Sequence, residues 1–263
     1  LALKEKGHTV AMTGDGVNDM LAMKESDCGI AMASGAQAAS QVARMVLLNS
    51  DFSAMPSIVG EGRRVINNIQ RAAALFLVKN IFSLGTTLFT LFSASTYPLD
   101  PMHMSIISGL TIGVPSFFLA MEPNYERVYG RFLPTVLRKA LPGGLTNVVV
   151  ALIVQAMSNA YGMTPVQTST ICTASLSVVG LLVLYQVCTP FDKFRRVIWG
   201  LTAALLFGSF VVTGDFFDLN FGDLNGFLVL LMLLIICPTV FFVMDRLFFF
   251  ADKLIEKWKR RKK

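Results

Sequence analysis

The sequence predicts an α-helical polytopic membrane protein with six transmembrane helices, preceded by a partial α/β, Rossmann-like segment. Three observations predict it. The 263 residues are 54% hydrophobic and only 15% charged, with a mean hydropathy of +0.59, too apolar for an ordinary soluble domain. The excess is uneven: residues 1–70 are mixed, and the rest falls into long apolar blocks. Within the first 50 residues, short apolar runs alternate with helical stretches, the spacing of parallel β-α-β units.

Taken in order, Leu1 to Lys6 reads as the end of a helix, with Gly7 just past it. His8 to Met12 reads as a strand, Met20 to Glu25 as a short helix and Cys28 to Met32 as a second buried strand. Ala36 to Ala43 is helical in pattern and Met45 to Leu48 is a third strand. About 50 residues make only part of a soluble domain. The chain opens on a leucine inside a helical pattern and shows no signal peptide, so a preceding N-terminal part is expected.

Between the first strand and the helix at Met20 stands Thr13-Gly14-Asp15-Gly16-Val17-Asn18-Asp19. Two carboxylates and an amide thus sit on a turn at the C-terminal edge of a strand, where open α/β sheets bind ligands. Gly14 and Gly16 allow a sharp turn and close approach to a ligand. Asp15 and Asp19 offer hard oxygens suited to Mg²⁺ shared with a phosphate, and the Asn18 amide can donate to a phosphoryl oxygen. An Asx-rich β-turn without chemistry uses the same residue types, but the full string in this context favours a site.

Ser57 to Arg71 reads as a charged amphipathic stalk helix carrying Arg63, Arg64 and Arg71. It runs without a break into the first span, Ala72 to Phe92, long enough to cross a bilayer at about 20 residues per crossing. Five further apolar blocks follow, near 104–121, 141–157, 168–187, 197–212 and 224–247. The expected divisions are 1–56 (soluble part), 57–71 (stalk), 72–250 (six helices) and 251–263 (basic tail).

The loops alternate in basic charge. Loops 93–103, 158–167 and 213–223 hold no Lys or Arg, and the last carries Asp215, Asp218 and Asp223. Loop 122–140 holds Arg127, Arg131, Arg138 and Lys139, and loop 188–196 holds Lys193, Arg195 and Arg196. By the positive-inside rule both ends of the chain lie in the cytoplasm, with the Asp15 turn. A cell membrane is expected, a bacterial plasma membrane in preference to an organelle. The net charge of +6 thus follows membrane topology rather than a nucleic-acid groove, and the Lys257 to Lys263 tail suits anionic lipid. Cys28, Cys172, Cys188 and Cys237 lack metal-ligand spacing and read as packing residues.

The second block contains Ser108-Gly109-Leu110-Thr111-Ile112-Gly113-Val114-Pro115-Ser116. Pro115 removes a backbone donor and the glycines weaken the helix. Carbonyls freed at membrane depth need a partner in protein, water or a cation, and interrupted spans are where ion sites are built. A proline kink with small packing residues is the plainer reading. Lys79, Asn80 and Ser83 at similar depth on the first span favour a site, since ionisable residues within a span are functional candidates. The transport set is therefore Lys79, Asn80, Ser83, Ser108, Thr111 and Pro115. Glu122-Pro123-Asn124 reads as the cap that ends the second span.

The string Thr13 to Asp19 resembles the hinge motif of P-type (E1–E2) ATPases, shared with haloacid-dehalogenase-like phosphotransferases. Lys24 to Met32, Val46 to Phe52 and Gly62 to Ile69 leading into a long span are also similar to that family. The resemblance covers the whole chain, as the end of the phosphorylation domain and the last six of ten spans. It implies an ATPase coupling ATP hydrolysis to cation translocation through an aspartyl-phosphate, with ATP and Mg²⁺ as cofactors. Asp15 would be a Mg²⁺ ligand, and Asn18 and Asp19 would position phosphate and metal. Asn80, Ser83, Ser108 and Thr111 align with positions lining the family's ion pathway. Calcium pumps of the family carry acidic or amide side chains near Ser83, Ser108 and Ile112. This chain has no acidic residue at those places, which argues against an ordinary two-carboxylate calcium site. A cage of neutral oxygens would bind more weakly or favour a weakly hydrated ion, with Lys79 as a built-in positive charge. The family's nucleophile string Asp-Lys-Thr-Gly-Thr is not in these residues, so this polypeptide alone is expected neither to phosphorylate nor to pump. The implied partners are the N-terminal part of the same pump, the transported cation and the bilayer, with no nucleic acid. Two other classes use the same features: a six-span channel or carrier with a vestigial soluble stub, and a membrane-anchored phosphatase built on Asp15 and Asp19.

Overall fold

A computed structural model describes residues 1–93, 96–212 and 224–261. The loop acids Asp215, Asp218 and Asp223, and the final Lys262 and Lys263, lie outside the described residues. The chain divides into two compact units, Leu1–Gly62 and Arg63–Lys263.

The first unit is a parallel three-stranded sheet with short helices. Its elements are α1 (Ala2–Glu5), β1 (Ala11–Gly14), α2 (Met20–Glu25), β2 (Cys28–Met32), α3 (Gln37–Val42) and β3 (Met45–Leu47), with the strands in the order β1-β2-β3. β2 is central, and its Gly29, Ile30 and Ala31 are buried, as its unbroken apolar run requires. Met23 from α2 and Ala39 from α3 close a small core with Ala31.

The first strand lies further along than its apolar run suggests. The Val10 N–H donates to the Asp27 carboxylate at 2.9 Å, while its carbonyl accepts from the Asp27 and Cys28 N–H groups at 2.9 and 3.2 Å, which ties the residue before Ala11 to the start of β2. The hydrogen bond to the carboxylate, followed by the Lys4 ammonium, holds the Asp27 carboxyl below its ordinary value. Thr13 and Gly14 pair with Ile30 and Ala31. Asp15 is therefore the first residue past the strand.

The charged stretch and the first apolar block form one helix, α4 (Met55–Ser93), which begins in the first unit and from Arg63 belongs to the second. The second span is divided into α5 (Pro101–Ile106), a π-helical stretch Ile107–Gly113, and α6 (Val114–Ala120). Then come α7 (Phe132–Tyr161), α8 (Pro165–Cys188), α9 (Lys193–Val212) and α10 (Leu224–Arg261). Among the described residues six helices are long and apolar enough to cross a membrane, which makes this a multi-pass membrane protein.

α8 is the axis of the bundle: it packs on α7, α9, α10 and the π-helical stretch. Ile171, Val179, Leu184 and Val187 on it are fully buried. Gly180 is what lets the π-helical stretch approach, since a Cβ there would lie 2.9 Å from Thr111 Cγ2. Small residues at crossings replace the hydrophobic drive that lipid removes. Cys172, Cys188 and Cys237 are buried and free.

Candidate functional site

The first cluster is the turn after β1. Asp19 folds back so that its Oδ2 accepts from the N–H of Asp15 at 3.2 Å and of Gly16 at 3.3 Å. Gly14 is required by this arrangement: a Cβ there would sit 2.4 Å from Asp19 Cβ. Gly16 is not. Its backbone is extended (φ −111°), and a Cβ would meet nothing nearer than 3.8 Å, so its openness faces outward. Gly35, which sequence reasoning missed, presses on the same turn, because a Cβ there would lie 2.3 Å from the Asp15 carbonyl oxygen. The Ala36 N–H donates to that oxygen at 2.7 Å. A serine-glycine pair after a strand is the only local signal for it.

Asp15 and Asn18 are exposed. Among the described residues neither side chain has a hydrogen-bond or ion-pair partner. No three His, Cys, Asp or Glu side chains cluster to hold a metal among the described residues. Mg²⁺ beside a phosphate keeps several waters and takes only one or two protein carboxylates. Asp15 and the remaining oxygen of Asp19 fit that requirement.

Gly14→Ala is expected to disorder the turn and cost about 1–3 kcal/mol of local stability through overpacking, whereas Gly16→Ala is expected to leave it intact. Amide hydrogen exchange over residues 11–20 of the full-length protein reads the difference. Equal protection in both variants contradicts the packing described.

The second cluster lies in the helical bundle. Lys79 and Thr111 line a cavity of about 30 Å³ together with Asn147, with apolar walls from Leu75, Phe82 and Leu176, room for one or two water molecules. Thr111 Oγ1 donates to the Ile107 carbonyl at 2.6 Å inside the π-helical stretch. The Ser108 hydroxyl and the Asn147 carbonyl oxygen are buried without a partner. Pro115 is buried just beyond the π-helical stretch. Asn80 is exposed and Ser83 is partly buried, and neither lines the cavity. The structure therefore brings Lys79 and Thr111 to one cavity, which Asn80 and Ser83 do not line. Asn147 was missed. Its signal was an amide inside an apolar run, where Gln155 is the other, the kind of residue that rarely stands in a span without a task.

A third cluster corrects two readings. Glu122 is no simple cap. Its carboxylate pairs with Arg71 and with Arg195, the latter at 2.7 Å, and all three side chains are 5–7% exposed. Arg71 and Arg195 are thus buried ion-pair partners rather than charges facing water. The Asn68 amide donates to the Glu122 carbonyl at 2.8 Å, and Arg195 Nη1 donates to the Pro190 carbonyl at 2.5 Å. The cluster ties together α4, the end of α6 and the start of α9.

No family model matches the chain. It is 41% identical over 208 residues to the calcium-transporting ATPase CtpE of Mycolicibacterium smegmatis, covering 74% of this chain and 26% of that protein. It is 38% identical over 224 residues to the probable cation-transporting ATPase exp7 of Streptococcus pneumoniae, covering 81% and 28%. It is 38% identical over 124 residues to the P-type sodium-transporting ATPase4 of Toxoplasma gondii, covering 47% and 9%. The chain thus spans about a quarter of the length of the first two relatives.

Proposed function

The chain belongs to the P-type cation-transporting ATPases, and from that premise we propose that it is the C-terminal part of an ATP-driven cation transporter working through an aspartyl-phosphate. The observation that supports this most strongly is the Asp15 carboxylate, left without a partner on a turn whose shape Asp19 and Gly14 hold. In this reading Asp15, with the free oxygen of Asp19, holds Mg²⁺, and Asn18 donates to a phosphoryl oxygen. ATP supplies the phosphoryl group and Mg²⁺ neutralises its charge. The nucleophile, the nucleotide site and four further spans come from the rest of the pump. The reading is tested by ATP hydrolysis and ion flux in vesicles holding the full-length protein. Flux that needs no ATP would favour a channel or carrier. Phosphate release without flux would favour a phosphatase.

The transport site is proposed at the cavity between α4, the π-helical stretch, α7 and α8. The unpartnered Asn147 oxygen, which lines this cavity with Thr111, is a ligand a dehydrated cation needs, and Lys79 in the same cavity modulates its binding. The relatives' names carry calcium in one case and sodium in another, so the ion is best identified by titrating Ca²⁺ and Na⁺ against ATPase activity. Lys79→Ala and Asn147→Leu are each expected to shift half-saturation about tenfold, the equivalent of one charge-assisted hydrogen bond. Unchanged half-saturation and coupling in both would place the site elsewhere.

Both ends of the chain are proposed to lie in the cytoplasm of a cell, most simply at a bacterial plasma membrane. A cysteine replacing Lys193 is expected to react with an impermeant thiol reagent only after the membrane is opened. Labelling on intact cells would reverse the topology.

A further inference from the structure

A cavity of about 360 Å³ opens where the ends of α7, α8 and α10 meet, lined by Arg138, Lys139, Gln186, Asp245, Phe248 and Phe249. These residues sit at the ends of apolar runs. Arg138 and Lys139 directly precede the run that starts at Leu141, Gln186 is in the last turn of α8, and Asp245 is the first charged residue near the end of the apolar run of α10. That places the cavity at the level of lipid headgroups.

Its polar groups have a specific mismatch. Gln186 Nε2 donates to Asp245 Oδ1 at 2.6 Å, which leaves the Gln186 carbonyl oxygen buried without a donor. The Asp245 carboxylate thus lines the cavity with acceptor capacity to spare, next to a Gln186 amide oxygen that has no donor. On the other side, Lys139 has no ion-pair or hydrogen-bond partner among the described residues, and it does not pair with Asp245 although both line the cavity. Arg138 is held by Asp252 at 2.9 Å and stacks over Phe249 at 5.7 Å. Lys253 also lies over Phe249, at 4.5 Å. Cationic and anionic ends are thus held apart in one cavity, beside an aromatic wall.

We infer that this cavity binds the headgroup of an amino-phospholipid of the phosphatidylethanolamine type. The phosphate meets Lys139 and Arg138, and the primary ammonium donates to Asp245 and to the orphaned Gln186 oxygen. The glycerol and acyl chains run along Phe248 and Phe249. A quaternary choline ammonium has no N–H to donate, and an anionic headgroup without an amine leaves the Gln186 oxygen unsatisfied and meets Asp245 with like charge.

The test is intact-complex mass spectrometry of the full-length protein in detergent. It is titrated in turn with phosphatidylethanolamine, phosphatidylcholine and phosphatidylglycerol of the same acyl chains. The wild type is expected to retain phosphatidylethanolamine about tenfold better than phosphatidylcholine, the effect of one hydrogen bond between charged groups, and better than phosphatidylglycerol. Asp245→Asn is expected to abolish the ethanolamine preference without weakening phosphatidylglycerol, and Lys139→Ala to weaken all three. Equal retention of the ethanolamine and choline lipids by the wild type would overturn the proposal, as would a preference for phosphatidylglycerol. Soluble phosphoethanolamine displacing the lipid at comparable concentration would overturn the lipid as ligand. The wild-type comparison decides the matter even if a variant does not fold.

Discussion

Asp15→Asn in the full-length protein is expected to lower Mg²⁺-dependent ATP hydrolysis by about 100-fold or more, the size of effect produced by removing one preorganised charge-stabilising group. Membrane insertion and folding should be unchanged, because the Asp15 side chain supports nothing in the fold among the described residues. Only its main chain does structural work, through the N–H to Asp19 and the carbonyl to Ala36, and Asn keeps both. Raising Mg²⁺ should restore part of the rate if a metal ligand has been lost. Activity within a fewfold of wild type would remove Asp15 from the site. Asp19→Asn should behave differently, since it weakens the acceptor for two N–H groups and disturbs the turn itself.

Glu122→Gln is expected to destabilise the helical unit by about 3–5 kcal/mol, the cost of leaving buried charge without its partner. Two guanidinium groups, Arg71 and Arg195, share the buried Glu122 carboxylate, while Arg195 also lies 4.0 Å from the exposed Asp192. Without the Glu122 carboxylate they repel each other at sites that water barely reaches. The exposed pair Arg138–Asp252, with side chains 52% and 40% exposed, should respond by less than about 1 kcal/mol when broken. Thermal unfolding of the purified protein separates the two cases. The triple replacement Arg71→Met, Glu122→Leu, Arg195→Met should be better tolerated than Glu122→Gln, because an apolar trio carries no stranded charge. A Glu122→Gln protein as stable as wild type contradicts the cluster.

How far the sequence foretold these features depended on how local each signal was. The helix Met20–Glu25 and the strand Cys28–Met32 were readable to the residue, because periodicity and the flanking Gly and Ser sit within one short window. The six spans were readable from length and composition alone. The interruption of the second span was visible in Gly109, Gly113 and Pro115, but not that the chain would absorb it as a π-helical stretch, since that choice depends on the close approach to Gly180. Glu122 could not be read correctly from its neighbours: its two partners lie 51 and 73 residues away. Asn147 was hidden by averaging, one of two amides, with Gln155, in a long apolar run. Ser83 aligned by depth with the other transport candidates, yet it does not line the cavity that Lys79 and Thr111 share, which depends on how the neighbouring helices pack. The turn at Asp15 was legible because strand, glycine and acid are contiguous, whereas the pressure of Gly35 on it comes from across the sheet.

The central claim is that this chain works within a pump driven by an aspartyl-phosphate. The most direct measurement incubates the full-length protein in membranes with γ-labelled ATP and Mg²⁺, with and without Ca²⁺ or Na⁺, followed by acid quench. The account predicts an acid-stable phosphoprotein whose level depends on the transported cation, which hydroxylamine releases and which Asp15→Asn reduces. Ion flux that continues without ATP, with no phosphoprotein formed under any cation, would contradict it.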